Sequence, residues 1–74
     1  MSFSNEIKKV RMKAFLTQTA FAEEIQVSFS TVNRWENGKG KPNLIAMKAI
    51  KSFCEAHDIP YENLEAEWFN SPSK

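Results

Sequence analysis

Seventy-four residues leave room for one domain with a small core, so short and closely packed elements are expected. A hydrophobic content of 42% with six Phe and two Trp argues against a disordered chain, and no apolar run approaches the ~18 residues of a membrane span. The net charge of +1 conceals a division: residues 1–51 carry nine Lys/Arg against four acids, net +5, whereas residues 52–74 carry Lys74 against five acids, net −4.

The stretch Met1-Ser2-Phe3-Ser4-Asn5 lacks the apolar segment of a signal peptide, and the single Cys54 has no internal disulfide partner. Both favour a cytoplasmic setting. No strand alternation, hairpin signal or internal repeat is present.

Five helices are expected. Ser4 is placed to cap the first, with Ile7, Val10 and Ala14 on one face and Lys8, Lys9 and Lys13 outside. Phe15 and Leu16 close it into a turn. Thr17 caps a second helix over Gln18–Ile25, which turns Phe21, Ala22 and Ile25 to the core. After the short turn Gln26-Val27, Ser28 caps a third helix to about Asn37, hiding Val32 and Trp35. Asn37-Gly38 stops that helix. Asn43 caps a fourth helix to about His57, with Leu44, Met47, Ile50 and Cys54 as its buried stripe and Phe53 beside them. Pro60 suits the first turn of a final helix, Tyr61–Phe69, that buries Leu64 and Trp68. A frayed tail is expected from about residue 70.

The turn between the second and third helices is too short for an antiparallel pair, so they must cross steeply. Ala22 permits the close approach. Phe29, Ser30, Asn33 and Arg34 then lie on the outer face of the third helix, a surface of the right size for the major groove. An ordinary helical pair with a solvated polar face would show the same pattern.

Thr17-Gln18-Thr19-Ala20-Phe21-Ala22, the spacing to Val27-Ser28, and the run Thr31-Val32-Asn33-Arg34-Trp35-Glu36-Asn37-Gly38-Lys39 followed by Lys41-Pro42 resemble the phage-repressor/Cro-like helix-turn-helix family. The resemblance covers about residues 5–57. It implies an all-α, five-helix, lambda-repressor-like DNA-binding domain over 1–74, with the helix-turn-helix at helices 2 and 3. It implies a phosphate contact for Gln18, beside the cap Thr17. Phe29, Ser30 and Arg34 match base-reading positions, and Arg34 matches guanine O6 and N7. Phe29 has two open readings, packing on a thymine methyl or folding back on the protein. Asn33 has two as well, an adenine or a phosphate. Ser28 and Thr31 match cap and phosphate contacts, and Asn37, Lys39 and Lys41 match a loop on the DNA backbone. Arg11 and Glu36 match a structural ion pair between the first and third helices; as two surface charges they would contribute little. The chain departs from the family at Gln26, where glycine is usual, because the turn is left-handed and costs a non-glycine residue about 1 kcal/mol.

The resemblance implies a transcriptional regulator that binds double-stranded, palindromic DNA as a homodimer, with half-sites ~34 Å apart. The expected dimer surface is the C-terminal region, through Ile59, Tyr61, Trp68 and Phe69; alternatively, Trp68 closes the monomer core. A restriction–modification controller and an antitoxin are alternatives within DNA binding. A protein-interaction module on the same fold is the alternative of another class. No enzymatic role, cofactor or metal is expected. Cys54 and His57 are too few for zinc, and both glycines sit in one turn instead of a phosphate-binding loop.

Overall fold

The computed structural model describes residues 2–70, which form α1 (Phe3–Lys13), α2 (Gln18–Glu24), α3 (Phe29–Glu36), α4 (Leu44–Ala56) and α5 (Glu62–Asn70). Four of these helices start on a short polar side chain that accepts from the backbone N–H three residues on. Ser2 accepts from Asn5, Thr17 from Ala20, Ser28 from Thr31 and Asn43 from Ala46. The caps expected at Thr17, Ser28 and Asn43 are in place. The first helix starts two residues earlier than expected, on Ser2 instead of Ser4, because Phe3 is buried and its burial draws the preceding backbone into the helix.

The same four helices also end alike. The residue after each C-cap is left-handed: Phe15 at φ 59°, Gln26 at 62°, Gly38 at 74° and Asp58 at 57°. The following N–H then returns to a carbonyl five residues back. Leu16 bonds Arg11 at 3.3 Å, Val27 bonds Ala22 at 2.9 Å, Lys39 bonds Arg34 at 2.9 Å and Ile59 bonds Cys54 at 2.8 Å. The left-handed turn expected at Gln26 is therefore present, and it is one of four made by the same device.

The core is drawn from all five helices. Phe3, Ile7 and Val10 of α1 meet Phe21 and Ala22 of α2, Val32 and Trp35 of α3, Ile50, Phe53 and Cys54 of α4, and Leu64 of α5. Phe21 and Phe53 pack edge to face, with ring centres 5.1 Å apart. Each fully buried side chain of this size contributes roughly 1.5–3 kcal/mol. Through these contacts α1 packs on α3 and α5, and α2 packs on α3.

Several expectations need correction. Leu44 does not join the buried stripe of α4; it is 65% exposed and Ile45 is exposed too, while Ala46 and Met47 of the same turn are the side chains that pack toward the core. Met47 is only half-buried. Ile59 is buried, since its N–H bond to Cys54 folds it back against the core. It is therefore not available to a dimer surface. The last helix is Glu62–Asn70, so Asn70 is still helical; the rest of the expected tail, 71–74, lies outside the described residues. No helix among the described residues is long and apolar enough to cross a membrane.

Candidate nucleic-acid interface

The third helix is short, and local propensity alone does not hold eight residues helical in water. It is fixed instead at its start, along its inner face and at its end. At its start, the Ser28 hydroxyl accepts from Thr31 N–H at 3.2 Å and lies 2.8 Å from the Thr31 hydroxyl and 3.3 Å from that of Ser30. Along its inner face, Val32 and Trp35 are buried, one turn apart.

Its end is fixed by a charge pair. Arg11 Nε donates to Glu36 Oε2 at 2.7 Å and Arg11 Nη2 donates to Glu36 Oε1 at 3.1 Å. Arg11 Nη1 also donates to the Leu16 carbonyl at 2.8 Å. The two side chains are only 14% and 4% exposed. The pair matched by resemblance is thus formed, and it is a shielded two-point contact instead of a loose surface bridge.

Glu36 also organises the polar groups around it. Gln18 Nε2 donates to Glu36 Oε1 at 3.1 Å, and Gln18 Oε1 accepts from Asn33 Nδ2 at 3.3 Å. Asn37 Nδ2 in turn donates to the Asn33 carbonyl at 2.9 Å and to Asn33 Oδ1 at 3.0 Å. Arg11, Glu36, Gln18, Asn33 and Asn37 therefore form one relay. It fixes which end of each amide points where and joins α1, the start of α2 and the far end of α3. Among the described residues, no buried side-chain polar atom lacks a partner.

The site residues singled out in the sequence divide on this frame. Gln18 and Asn33 are half-buried and bonded to each other, so the Asn33 amide is engaged at both ends. Ser28, the cap of α3, is exposed, as are Phe29, Ser30 and Arg34 on the helix itself, with Phe29 at 50%. Thr31 is half-buried against the Ser28 cap. Thr17 is exposed and caps α2. A Cβ on Gly40 would come within 3.4 Å of Arg34 Nη2, so the guanidinium lies along the bare backbone of the following loop.

In that loop Asn37 and Lys39 are exposed, but Lys41 is not presented outward. Its Nζ donates to the Trp68 carbonyl at 2.9 Å and stands 5.2 Å from the centre of the Trp68 ring. Trp68 Nε1 donates to the Pro42 carbonyl at 2.7 Å. The loop after the third helix is thus tied to α5, and the half-buried Trp68 serves that tie.

Sequence reasoning did not find the Gln18–Glu36 bond, the Asn33–Asn37 bonds or the docking of Trp68 on Pro42. These partners lie up to 26 residues apart or are amides whose direction no pattern encodes. Cys54 is buried and its thiol is pushed up to about 11, first by burial and then by the charge of Glu55. His57 stacks on Phe53 with ring centres 4.3 Å apart. Among the described residues, no group of three or more His, Cys, Asp or Glu is placed to hold a metal ion.

A helix-turn-helix family model matches residues 7–55. The HTH-type transcriptional activator BcrR of Enterococcus faecalis is 38% identical over 53 residues, which cover 72% of this chain and 26% of that protein. The chain spans about a quarter of the length of this curated relative. No solved structure matches.

Proposed function

The chain belongs to the helix-turn-helix family, and we propose that it regulates transcription by binding double-stranded DNA sequence-specifically, with α3 in the major groove. The observation that carries this reading is how α3 is held. The Arg11–Glu36–Gln18 relay and the buried Val32 and Trp35 fix one side of the helix, while Phe29, Ser30 and Arg34 stand exposed on another. A helix fixed this firmly, with small polar groups and one guanidinium outward, suits readout of base edges. The basic balance of residues 1–51 supplies attraction to phosphates without sequence preference.

Arg34 is the residue proposed to recognise guanine, with Phe29 and Ser30 beside it. Thr17, Gln18, Ser28, Thr31, Asn37 and Lys39 are proposed to line the phosphate backbone. Asn33 is proposed to position Gln18 instead of reading a base. Lys41 is proposed to hold the loop against α5 and to act on DNA only through the position of that loop. The proposed role is non-catalytic and requires no cofactor.

The proposed binding species is a homodimer on a palindromic operator. The backbone of the described residues spans 27 × 24 × 21 Å, less than the ~34 Å between successive major-groove faces, so one copy is proposed to reach one half-site. An apolar groove of about 190 Å³ between α4 and α5, lined by Leu44, Met47, Tyr61, Trp68 and Phe69, is the proposed contact between copies.

The test is fluorescence anisotropy with a random duplex pool at several salt concentrations, followed by selection of the bound sequences. Affinity that falls steeply with salt and a recovered palindromic consensus are expected. An absence of salt-dependent duplex binding would overturn the reading and favour the protein-interaction module.

A further inference from the structure

We infer that Phe29 is the side chain that selects thymine, by packing its ring on the C5-methyl group in the major groove. The inference rests on the major-groove reading above and narrows it to one contact.

Six large apolar side chains are exposed among the described residues: Met12, Phe15, Phe29, Leu44, Ile45 and Phe69. Of these, only Phe29 belongs to α3. It is the first residue of that helix, and in this docking mode the N-terminal residues of the helix reach base edges. Its exposure of 50% means that the protein covers half of the residue and leaves the other half open.

The polar side chains around it are engaged with one another. The hydroxyls of Ser28, Ser30 and Thr31 form one cluster, and the Asn33 amide bonds both Gln18 and Asn37. Phe29 has no donor or acceptor to offer. Set against the polar edge of a guanine, adenine or cytosine, it would strip water from that edge and replace no hydrogen bond. One group in the major groove complements an apolar ring, the methyl of thymine.

The test uses the full chain and a duplex recovered by selection from a random pool. Each thymine is replaced in turn by uracil, which removes the methyl and keeps every donor and acceptor. One thymine per half-site is expected at which uracil weakens binding about fourfold, the scale of one buried methyl group. Phe29→Ala is expected to bind the thymine and uracil duplexes equally there, and Phe29→Leu to keep a preference for thymine. If Phe29→Ala weakens both duplexes by the same factor and retains the uracil penalty, the residue has a structural role only and the inference fails. If the unaltered chain ignores uracil at every position, the inference also fails while DNA binding stands. If no duplex is bound, both this inference and the reading beneath it fall.

Discussion

Arg11 and Glu36, 25 residues apart, meet through two parallel hydrogen bonds of 2.7 and 3.1 Å, and the same carboxylate accepts from Gln18. One carboxylate therefore ties α1 and α2 to the end of α3. Glu36→Gln would leave the shielded guanidinium of Arg11 without its counter-charge. The expected loss is about 2–4 kcal/mol, below the upper range for buried pairs because Arg11 keeps its bond to the Leu16 carbonyl. The midpoint of urea unfolding measures it. Replacing both partners, Arg11→Met with Glu36→Leu, should recover most of that stability. DNA affinity should stay low in the double variant, because Gln18 has then lost the acceptor that orients it. Recovery of affinity together with stability would show that the relay matters only for folding.

Asn33 and Arg34 are neighbours in sequence but are proposed to do different work. Arg34→Ala should cost about 1–3 kcal/mol of binding to the preferred duplex and relax the preference at one base pair. Asn33→Ala removes bonds to Gln18 and Asn37, so it should weaken binding on all sequences alike and leave the base preference unchanged. Binding of both variants to a panel of single-base operator changes separates the two patterns. A base-specific change in Asn33→Ala would restore it as a reader.

Why one of these roles was legible in the sequence and the other was not has a physical cause. The helix starts at Thr17, Ser28 and Asn43 are encoded locally, because a cap and its N–H partner lie three residues apart. The buried pairs Phe21/Ile25 and Val32/Trp35 follow from helical spacing in the same way. Resemblance placed Arg11 opposite Glu36, yet nothing in either residue type says that the pair is shielded. The direction of the Asn33 and Gln18 amides depends on partners brought in by tertiary folding. The exposure of Leu44 and the burial of Ile59 depend on which neighbours cover them, and helical period is silent on that.

The left-handed residues predict gains in stability. Phe15 at φ 59° and Gln26 at φ 62° occupy a conformation that costs residues other than glycine about 1–2 kcal/mol. Phe15 is 94% exposed and Gln26 is exposed, so neither loses core packing on truncation. Phe15→Gly and Gln26→Gly should each stabilise by about 0.5–1 kcal/mol, because the added freedom of glycine in the unfolded chain offsets part of the relief. Thermal unfolding should show a rise of several degrees for each. A fall would mean that the side chain makes a contact that outweighs its backbone strain.

Burial sets the chemistry of Cys54. Its thiol is pushed up to about 11 from an ordinary value of 9.0, so the folded protein holds it neutral where the unfolded chain ionises. The sign follows directly. Below pH 9 both states are protonated and this stabilisation is fully present. Between pH 9 and about 11 the unfolded state binds fewer protons, so stability falls as pH rises. The loss attributable to this group is on the order of 2–3 kcal/mol. Cys54→Ala should flatten that part of the alkaline stability profile. At pH 8 the folded thiol should react with an aromatic disulfide reagent at least about tenfold more slowly than in urea, at a rate set by opening of the fold.

The groove between α4 and α5 predicts the oligomeric state. One wall carries Lys48 and Lys51 on α4, the other Glu65 on α5, and Leu44 and Phe69 stand exposed at 65% and 71%. In the proposed dimer, a second copy related by a two-fold axis running along the groove would bring the apolar residues together and set each basic wall toward an acidic one. Phe69→Asp places a charge in the middle of that contact without entering the core. Sedimentation equilibrium should show the unaltered chain shifting toward dimer with concentration and the variant remaining monomeric. On a palindromic duplex, the variant should fall to the affinity that the unaltered chain has for a single half-site. If its affinity for the two duplexes is unchanged, the copies do not meet through this groove, and the spacing of half-sites must be set elsewhere.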